Sequence, residues 1–184
     1  CAYCQNWYTS QALRDPAAGE VAQKVTPEEL VAAAIEHRCA VITSTYNEPL
    51  ITAEWAHDVF ELARRAGITT SFVSNGHATP EVLDYLAPVI DAYKVDLKSF
   101  SPKTYTALGG KLQAVLDTIA GLVERGIWVE VVTLVVPGLN DSPEELKAIA
   151  VFLAGISPDI PWHVTAFHPD YQMTDPPATP TRTL

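Results

Sequence analysis

The sequence predicts an α/β protein, a partial TIM-like (β/α) barrel of parallel strands truncated at both ends, with one domain over residues 1–184. Three observations predict it. Short apolar runs rich in β-branched residues alternate with amphipathic helical patterns, which calls for a parallel sheet with right-handed crossovers. The runs are apolar throughout, as expected of strands buried on both faces. Polar residues collect just past the carboxyl ends of the runs, where a parallel barrel builds its site. A doubly wound open sheet is the competing architecture. It wants a Gly-rich phosphate turn after its first strand, and the sequence has none there.

The elements follow in order. Thr26-Pro27-Glu28-Glu29 supplies an N-cap, a proline at the first helical position and a capping-box glutamate, ahead of a stripe of Leu30, Val31, Ala34 and Ile35. The first strand reads over 39–45, with Asn47-Glu48 just beyond it. A helix from about Ile51 to Ala66 carries Trp55, Val59 and Leu62 on one face and stops at Gly67. The second strand, Ile68 to Ser74, leads into Asn75-Gly76-His77, and Thr79-Pro80-Glu81 opens the next helix. The third, Ala92 to Leu97, delivers Asp96 and Lys98 to its end. Leu112, Val115, Leu116, Ile119, Leu122 and Val123 form a helical stripe that ends at Gly126, before a fourth strand from Ile127 to Val136. Ser142-Pro143-Glu144-Glu145 repeats the capping signature, and a fifth run, Trp162 to Phe167, precedes His168. The loop at residue 1 is expected to follow a strand, and Thr179-Pro180 to open a further helix. The first strand and the C-terminal elements of the barrel are therefore expected to lie outside this stretch.

Composition narrows the function. Hydrophobic residues make up 48% and charged residues 18%, as in a soluble globular domain. With 12 basic and 22 acidic residues the formal net charge is −10, which argues against a nucleic-acid partner. No apolar run reaches the roughly 18 residues of a membrane helix. Cys1, Cys4 and Cys39 form an odd, sparse set that fits a reducing, cytoplasmic setting rather than a disulfide framework. Cys39 heads an apolar strand and is expected to be a small buried hydrophobe. His37, His57 and His163 are expected at the surface or in satisfied packing.

Cys1 and Cys4 carry the first chemical signal. By themselves they read equally as a thiol-redox pair, half of a zinc site, or part of an iron–sulfur site. Lys98 at a strand end adds another reading, the base or Schiff-base lysine of a barrel aldolase or isomerase.

The neighbouring residues favour one of these. Cys1-Ala2-Tyr3-Cys4-Gln5-Asn6-Trp7 resembles the end of the CxxxCxxC loop of radical S-adenosylmethionine (SAM) enzymes. Thr45-Tyr46-Asn47-Glu48-Pro49 stands where that family has Gly-Gly-Glu-Pro. Ser74-Asn75-Gly76, Asp96-Leu97-Lys98, Val135-Val136-Pro137-Gly138 with Asn140-Asp141, and Phe167-His168-Pro169 are similar to motifs of glycyl-radical activating enzymes such as pyruvate formate-lyase activating enzyme. Gln5-Asn6-Trp7, Asn140-Asp141-Ser142, Pro161-Trp162-His163 and His168-Pro169-Asp170-Tyr171 resemble the radical SAM component of the AmmeMemoRadiSam system.

This resemblance implies a [4Fe–4S] cluster held by Cys1, Cys4 and a third cysteine four residues upstream of Cys1, with one iron open to the amino and carboxylate groups of SAM. It implies Tyr3 near the adenine, Glu48 accepting from the SAM ammonium, and Asn75, Asp96, Lys98 and His168 orienting SAM. Glu130 would point at the ribose or carboxylate. Val73 holds a position where the activases often carry an acidic residue for a monovalent cation. The implied reaction is one-electron cleavage of SAM to a 5′-deoxyadenosyl radical that abstracts hydrogen from a substrate, either a protein or peptide segment or a small molecule. A reductant such as flavodoxin or ferredoxin would supply the electron. On this reading residues 1–184 alone are not expected to be active.

Overall fold

A computed structural model describes residues 2–14 and 22–184. Five strands, β1 (Val41–Ser44), β2 (Thr69–Ser74), β3 (Ala92–Asp96), β4 (Trp128–Val135) and β5 (Trp162–Ala166), form one parallel sheet in the order β1-β2-β3-β4-β5. Each strand lies beside its successor in sequence. That is the winding of a barrel wall, since a doubly wound sheet reverses its order partway. β1 and β5 do not pair with each other among the described residues, so the sheet is an open arc.

The connections are helical: α1 (Trp7–Gln11) in the N-terminal loop, then α2 (Pro27–Glu36), α3 (Ala53–Arg65), α4 (Pro80–Leu86), α5 (Pro102–Ala107), α6 (Leu112–Glu124) and α7 (Pro143–Ile156). The cap chemistry places their starts. Thr26 accepts from Glu29 N while Glu29 reaches back to Thr26 N, a complete capping box. Thr79, Ser101 and Ser142 each accept from the amide three residues on, with proline at the first helical position. The helices bury their apolar stripes on the convex face of the arc. Val59, Phe60 and Ala63 of α3 and Val115, Ile119 and Leu122 of α6 meet Phe72, Val95 and Val131 of the sheet in one core. Phe72 contacts Phe60 edge-on and stacks with Tyr93, each at 5.5 Å between ring centroids.

The strands are not buried on both faces as expected. Along β4, Val129, Val131, Thr133 and Val135 are buried while Glu130, Val132 and Leu134 are half-buried and Trp128 is exposed. Only the convex face is covered. The concave face lines open hollows, which is why Lys94 and Glu130 can lie mid-strand. Cys39 also departs from expectation. The chain turns through Arg38 at φ 54°, β1 begins only at Val41, and Cys39 is exposed in the connection. No helix among the described residues is long and apolar enough to cross a membrane.

A second, smaller core lies at the carboxyl end of the arc. Tyr3, Val136 and Phe167 are buried together, with Leu108, Leu134, Leu139 and Met173 packed around them. It ties the loop around residue 3 to the exits of β4 and β5.

Candidate active site

The carboxyl ends of β1 and β2 are joined through Glu48. Its carboxylate accepts from Leu50 N at 3.2 Å, Ser74 Oγ at 2.6 Å and Asn75 N at 2.8 Å. Two of these donors load Oε1, whereas among the described residues Oε2 holds only the Asn75 amide, which leaves it a lone pair for a further donor. Ser74 Oγ in turn accepts from Gly76 N at 3.1 Å. Gly76 has φ +77°, and a Cβ there would lie 2.7 Å from Val95 Cγ1, so glycine is required for the turn to close against β3.

The orientation of Asn75 follows from donors that cannot be reversed. The Lys111 backbone N–H donates to His77 Nε2 at 3.0 Å, so the His77 proton is on Nδ1. That N–H donates to Asn75 Oδ1 at 3.0 Å, as does the His77 backbone amide. The amide oxygen is thereby committed, and Asn75 Nδ2 is the group left for the cavity it lines.

At the exit of β3, Lys98 Nζ pairs with Asp96 at 3.1 Å. Lys98 N donates to Tyr105 Oη at 3.1 Å. Burial pushes the Tyr105 hydroxyl up to about 12, opposed by that backbone bond and reinforced by Asp96. Buried Asn140 braces the neighbouring exit. Its Nδ2 donates to Lys98 O and Leu134 O at 2.7 and 2.9 Å, and its Oδ1 accepts from Val136 N at 2.7 Å.

The cysteine-bearing loop crosses this surface. Cys4 is half-buried and free of disulfide, 3.8 Å from Ser10 Oγ. It borders two adjoining cavities. One, of about 400 Å³, includes Cys4, Glu48, Ser74, Asn75, Asp96 and Lys98 in its lining. The other, of about 260 Å³, includes Tyr3, Cys4, Asp96, Lys98, Leu134 and Thr165. Tyr3 is 4% exposed, its hydroxyl has no hydrogen-bond partner among the described residues, and burial holds that hydroxyl protonated well above its ordinary value, with Tyr105 and Asp96 adding to the effect.

Tyr3, Cys4, Glu48, Asn75, Asp96 and Lys98 are thus distributed over two adjoining cavities that share Cys4, Asp96 and Lys98. Cys1 lies outside the described residues. Glu130 is on the same concave face but about 7 Å deeper than the level of Asp96 and Val132, one pleat repeat down. It accepts from Trp128 Nε1 at 3.1 Å and pairs with His163 Nε2 at 2.8 Å. Those two bonds hold its carboxyl below the usual range, and it lines a separate hollow with Lys94. His168 is exposed past β5 and is not among the residues lining the two upper cavities. Lys94 escaped the sequence reading although it lines all three hollows. Counting back two residues from Asp96 on the strand finds it. Ser74 and Gln5, both inside quoted motifs, were not assigned bonds because their partners are distant in sequence.

Among the described residues one free thiol, Cys4, and one fixed carboxylate, Glu48, border the same cavity. A free thiol suits iron, and a carboxylate oxygen already fixed by protein donors suits a cationic amine across the cavity. No group of three His, Cys, Asp or Glu side chains gathers among the described residues, so no closed protein-only metal cage is formed there.

A family model described as the radical SAM superfamily matches residues 1–153. An uncharacterized protein of Methanocaldococcus jannaschii is 37% identical over all of this chain and 54% of its own length. Pyruvate formate-lyase 1-activating enzyme of Escherichia coli is 26% identical over 83% of this chain and 63% of its own length. The chain therefore spans between about half and two thirds of these relatives. Among solved structures, a domain of pyruvate-formate lyase-activating enzyme from Bacteroides vulgatus superposes with a TM-score of 0.62 at 20% identity, over 77% of this chain and 86% of that one. Streptococcus suis SuiB bound to precursor peptide SuiA superposes with a TM-score of 0.66 at 13% identity, over 82% of this chain and 34% of that one. At those identities the structures speak for the fold, and the family match speaks for descent: the chain belongs to the radical SAM superfamily.

Proposed function

We propose that the cavity between Cys4 and Glu48 binds SAM against a [4Fe–4S] cluster, and that the protein is an activase-like radical SAM enzyme acting on a protein or peptide segment. The observation that carries this reading is the placement of a free Cys4 thiol and the fixed Glu48 carboxylate on one cavity, at the carboxyl end of an open parallel arc. When bound, the cluster and SAM supply one-electron cleavage of the sulfonium S–C5′ bond and hydrogen abstraction from a substrate. A reductant such as flavodoxin or ferredoxin delivers the electron.

The chain's own residues hold and orient. Cys1 and Cys4 act as ligands. The free lone pair of Glu48 Oε2 receives the ammonium, Asn75 Nδ2 donates to an acceptor on SAM, and the Asp96–Lys98 pair and Tyr3 line the remaining wall. His168 is tied through its main chain to Gln5, which lines the smaller cavity. Glu130, engaged by His163 and Trp128, shapes the floor beneath. The open concave face leaves room for an extended segment, and the named relative and neighbour, an activating enzyme and a protein bound to a precursor peptide, support a polypeptide substrate. A Schiff-base role for Lys98 is disfavoured by its ion pair with Asp96.

The test is anaerobic reconstitution of the full-length protein. Iron and sulfide near four per chain, with broad visible absorbance that Cys4→Ala removes, is the expected result. Colourless protein with stoichiometric zinc would assign the thiols to a zinc site, and hydride trapping of a carbonyl compound on Lys98 would assign an aldolase.

A further inference from the structure

The geometry points to Gln5 as a positioning residue that locks the cysteine-bearing loop to the exit of β5, keeping Cys4 and His168 in fixed register across the mouth of the cavity. This rests on the SAM-binding reading above. Gln5 Nε2 donates to His168 O at 2.9 Å, and His168 N donates to Gln5 Oε1 at 3.0 Å. Both polar groups of one residue's main chain are thus engaged by a single side-chain amide, 163 positions away in sequence. The pairing copies a rung of a β-ladder, with a glutamine side chain in place of a neighbouring strand.

The amide can take only one orientation. A backbone N–H must donate and a carbonyl must accept, so Oε1 faces His168 N and Nε2 faces His168 O. The second Nε2 hydrogen is directed at Tyr3 O, 3.4 Å away. Glutamate would keep an acceptor for His168 N and lose both donors. Asparagine is one methylene shorter. The residue type is therefore specified by the site.

Among the described residues, side-chain and loop contacts rather than a strand ladder hold the loop. Residues 2–6 belong to no strand, and the sheet between β1 and β5 is open. The other contacts of the loop are of different kinds. Ala2 O accepts from Gln172 N and Met173 N at 3.1 and 2.9 Å, Trp7 stacks on Tyr171 at 5.6 Å with 5° between planes, and the Tyr3 ring is buried with Phe167 and Val136. These fix the loop against the C-terminal segment. Of the described loop residues, Gln5 is the one bonded to His168, whose carbonyl also accepts from Asp170 N at 2.9 Å. A metal ligand on a loop depends on the shell that orients it, and Gln5 is adjacent to Cys4 in that shell.

The test compares Gln5→Glu and Gln5→Leu with wild type in the full-length, anaerobically reconstituted protein. With the cysteines intact, iron content after reconstitution should match wild type. The rate of iron loss to a chelator and the Kd for SAM should each rise roughly tenfold, the loss of two hydrogen bonds at a half-exposed site. Hydrogen exchange at the His168 amide should quicken in Gln5→Leu, which keeps no acceptor for it, and less in Gln5→Glu, while amides of β2, β3 and β4 keep their protection. The change that SAM induces in the spectrum of the reduced cluster should broaden or vanish. Wild-type rates of iron loss and wild-type SAM affinity in both variants would overturn the inference. A uniform rise in exchange across the sheet would also overturn it, by assigning Gln5 to general stability. If wild type itself binds no SAM, the functional reading fails. Exchange at His168 still decides the clamp, and unchanged protection in both variants refutes it.

Discussion

Replacement of Glu48 separates a structural effect from a binding effect. The carboxylate gathers three donors, Leu50 N, Ser74 Oγ and Asn75 N, and joins the exits of β1 and β2. Hydrogen bonds to a charged group contribute about 1.5–3 kcal/mol each when buried, and Glu48 is only half-buried, so about 1 kcal/mol apiece is the better figure. Glu48→Ala should then lower stability by about 2–4 kcal/mol, read as a shift of the urea midpoint in the protein without SAM. Glu48→Gln keeps one acceptor oxygen and should cost about 1–2 kcal/mol. Both should weaken SAM by at least about tenfold, because the ammonium loses its charged partner. Iron content should stay at the wild-type level in both. The glutamine variant is the decisive one: it nearly preserves the brace and removes the charge. SAM affinity equal to wild type in Glu48→Gln, together with a large stability loss in Glu48→Ala, would show a brace that does not touch SAM and would refute the binding role.

Gly76→Ala should destabilise by about 2–4 kcal/mol in thermal or urea melts, since the new Cβ meets Val95 Cγ1 at 2.7 Å and Val115 Cγ1 at 3.0 Å at a positive φ; a neutral result would mean the turn relaxes freely. Asp91 is desolvated, which raises its pKa, but Thr70 N, Arg64 and Thr70 Oγ1 outweigh that and hold the carboxyl below its ordinary value. The unfolded chain therefore binds the proton first as pH falls, so the contribution of Asp91 is complete above about pH 4 and lost as pH drops through the lower folded value. Asp91→Asn should flatten that acid limb of stability by about 1 kcal/mol after allowance for solvent screening, and an unchanged limb would contradict it. Cys39→Ala, at the exposed connection before β1, should leave iron content, SAM binding and the melting midpoint unchanged; loss of cluster would move the ligand assignment.

Helix starts were legible because cap chemistry is local. The box at Thr26 and Glu29 and the caps at Thr79 and Ser142 need only residues three apart, and each appears where the sequence puts it. Strand order was legible because each of the first four strands is followed by a helix, and the gathering of Glu48, Asn75, Asp96 and Lys98 followed from parallel strands sharing a carboxyl side. What the sequence hid depends on the third dimension. Apolar content does not tell which face of β4 meets helices, so the depth of Glu130, a pleat below Val132 and beside His163, is not legible in the sequence. Cys39 read as buried because the turn at Arg38 could not be seen ahead of β1. The bonds of Ser74 to Glu48 and of Gln5 to His168 join residues 26 and 163 positions apart, beyond any local pattern.

The central claim is tested most directly by product analysis. Full-length protein, reconstituted without oxygen, reduced and incubated with SAM, should release 5′-deoxyadenosine and methionine, and Cys4→Ala should abolish both. A well-folded, iron-replete wild-type protein that leaves SAM intact, alone and with its reductant, would contradict the account.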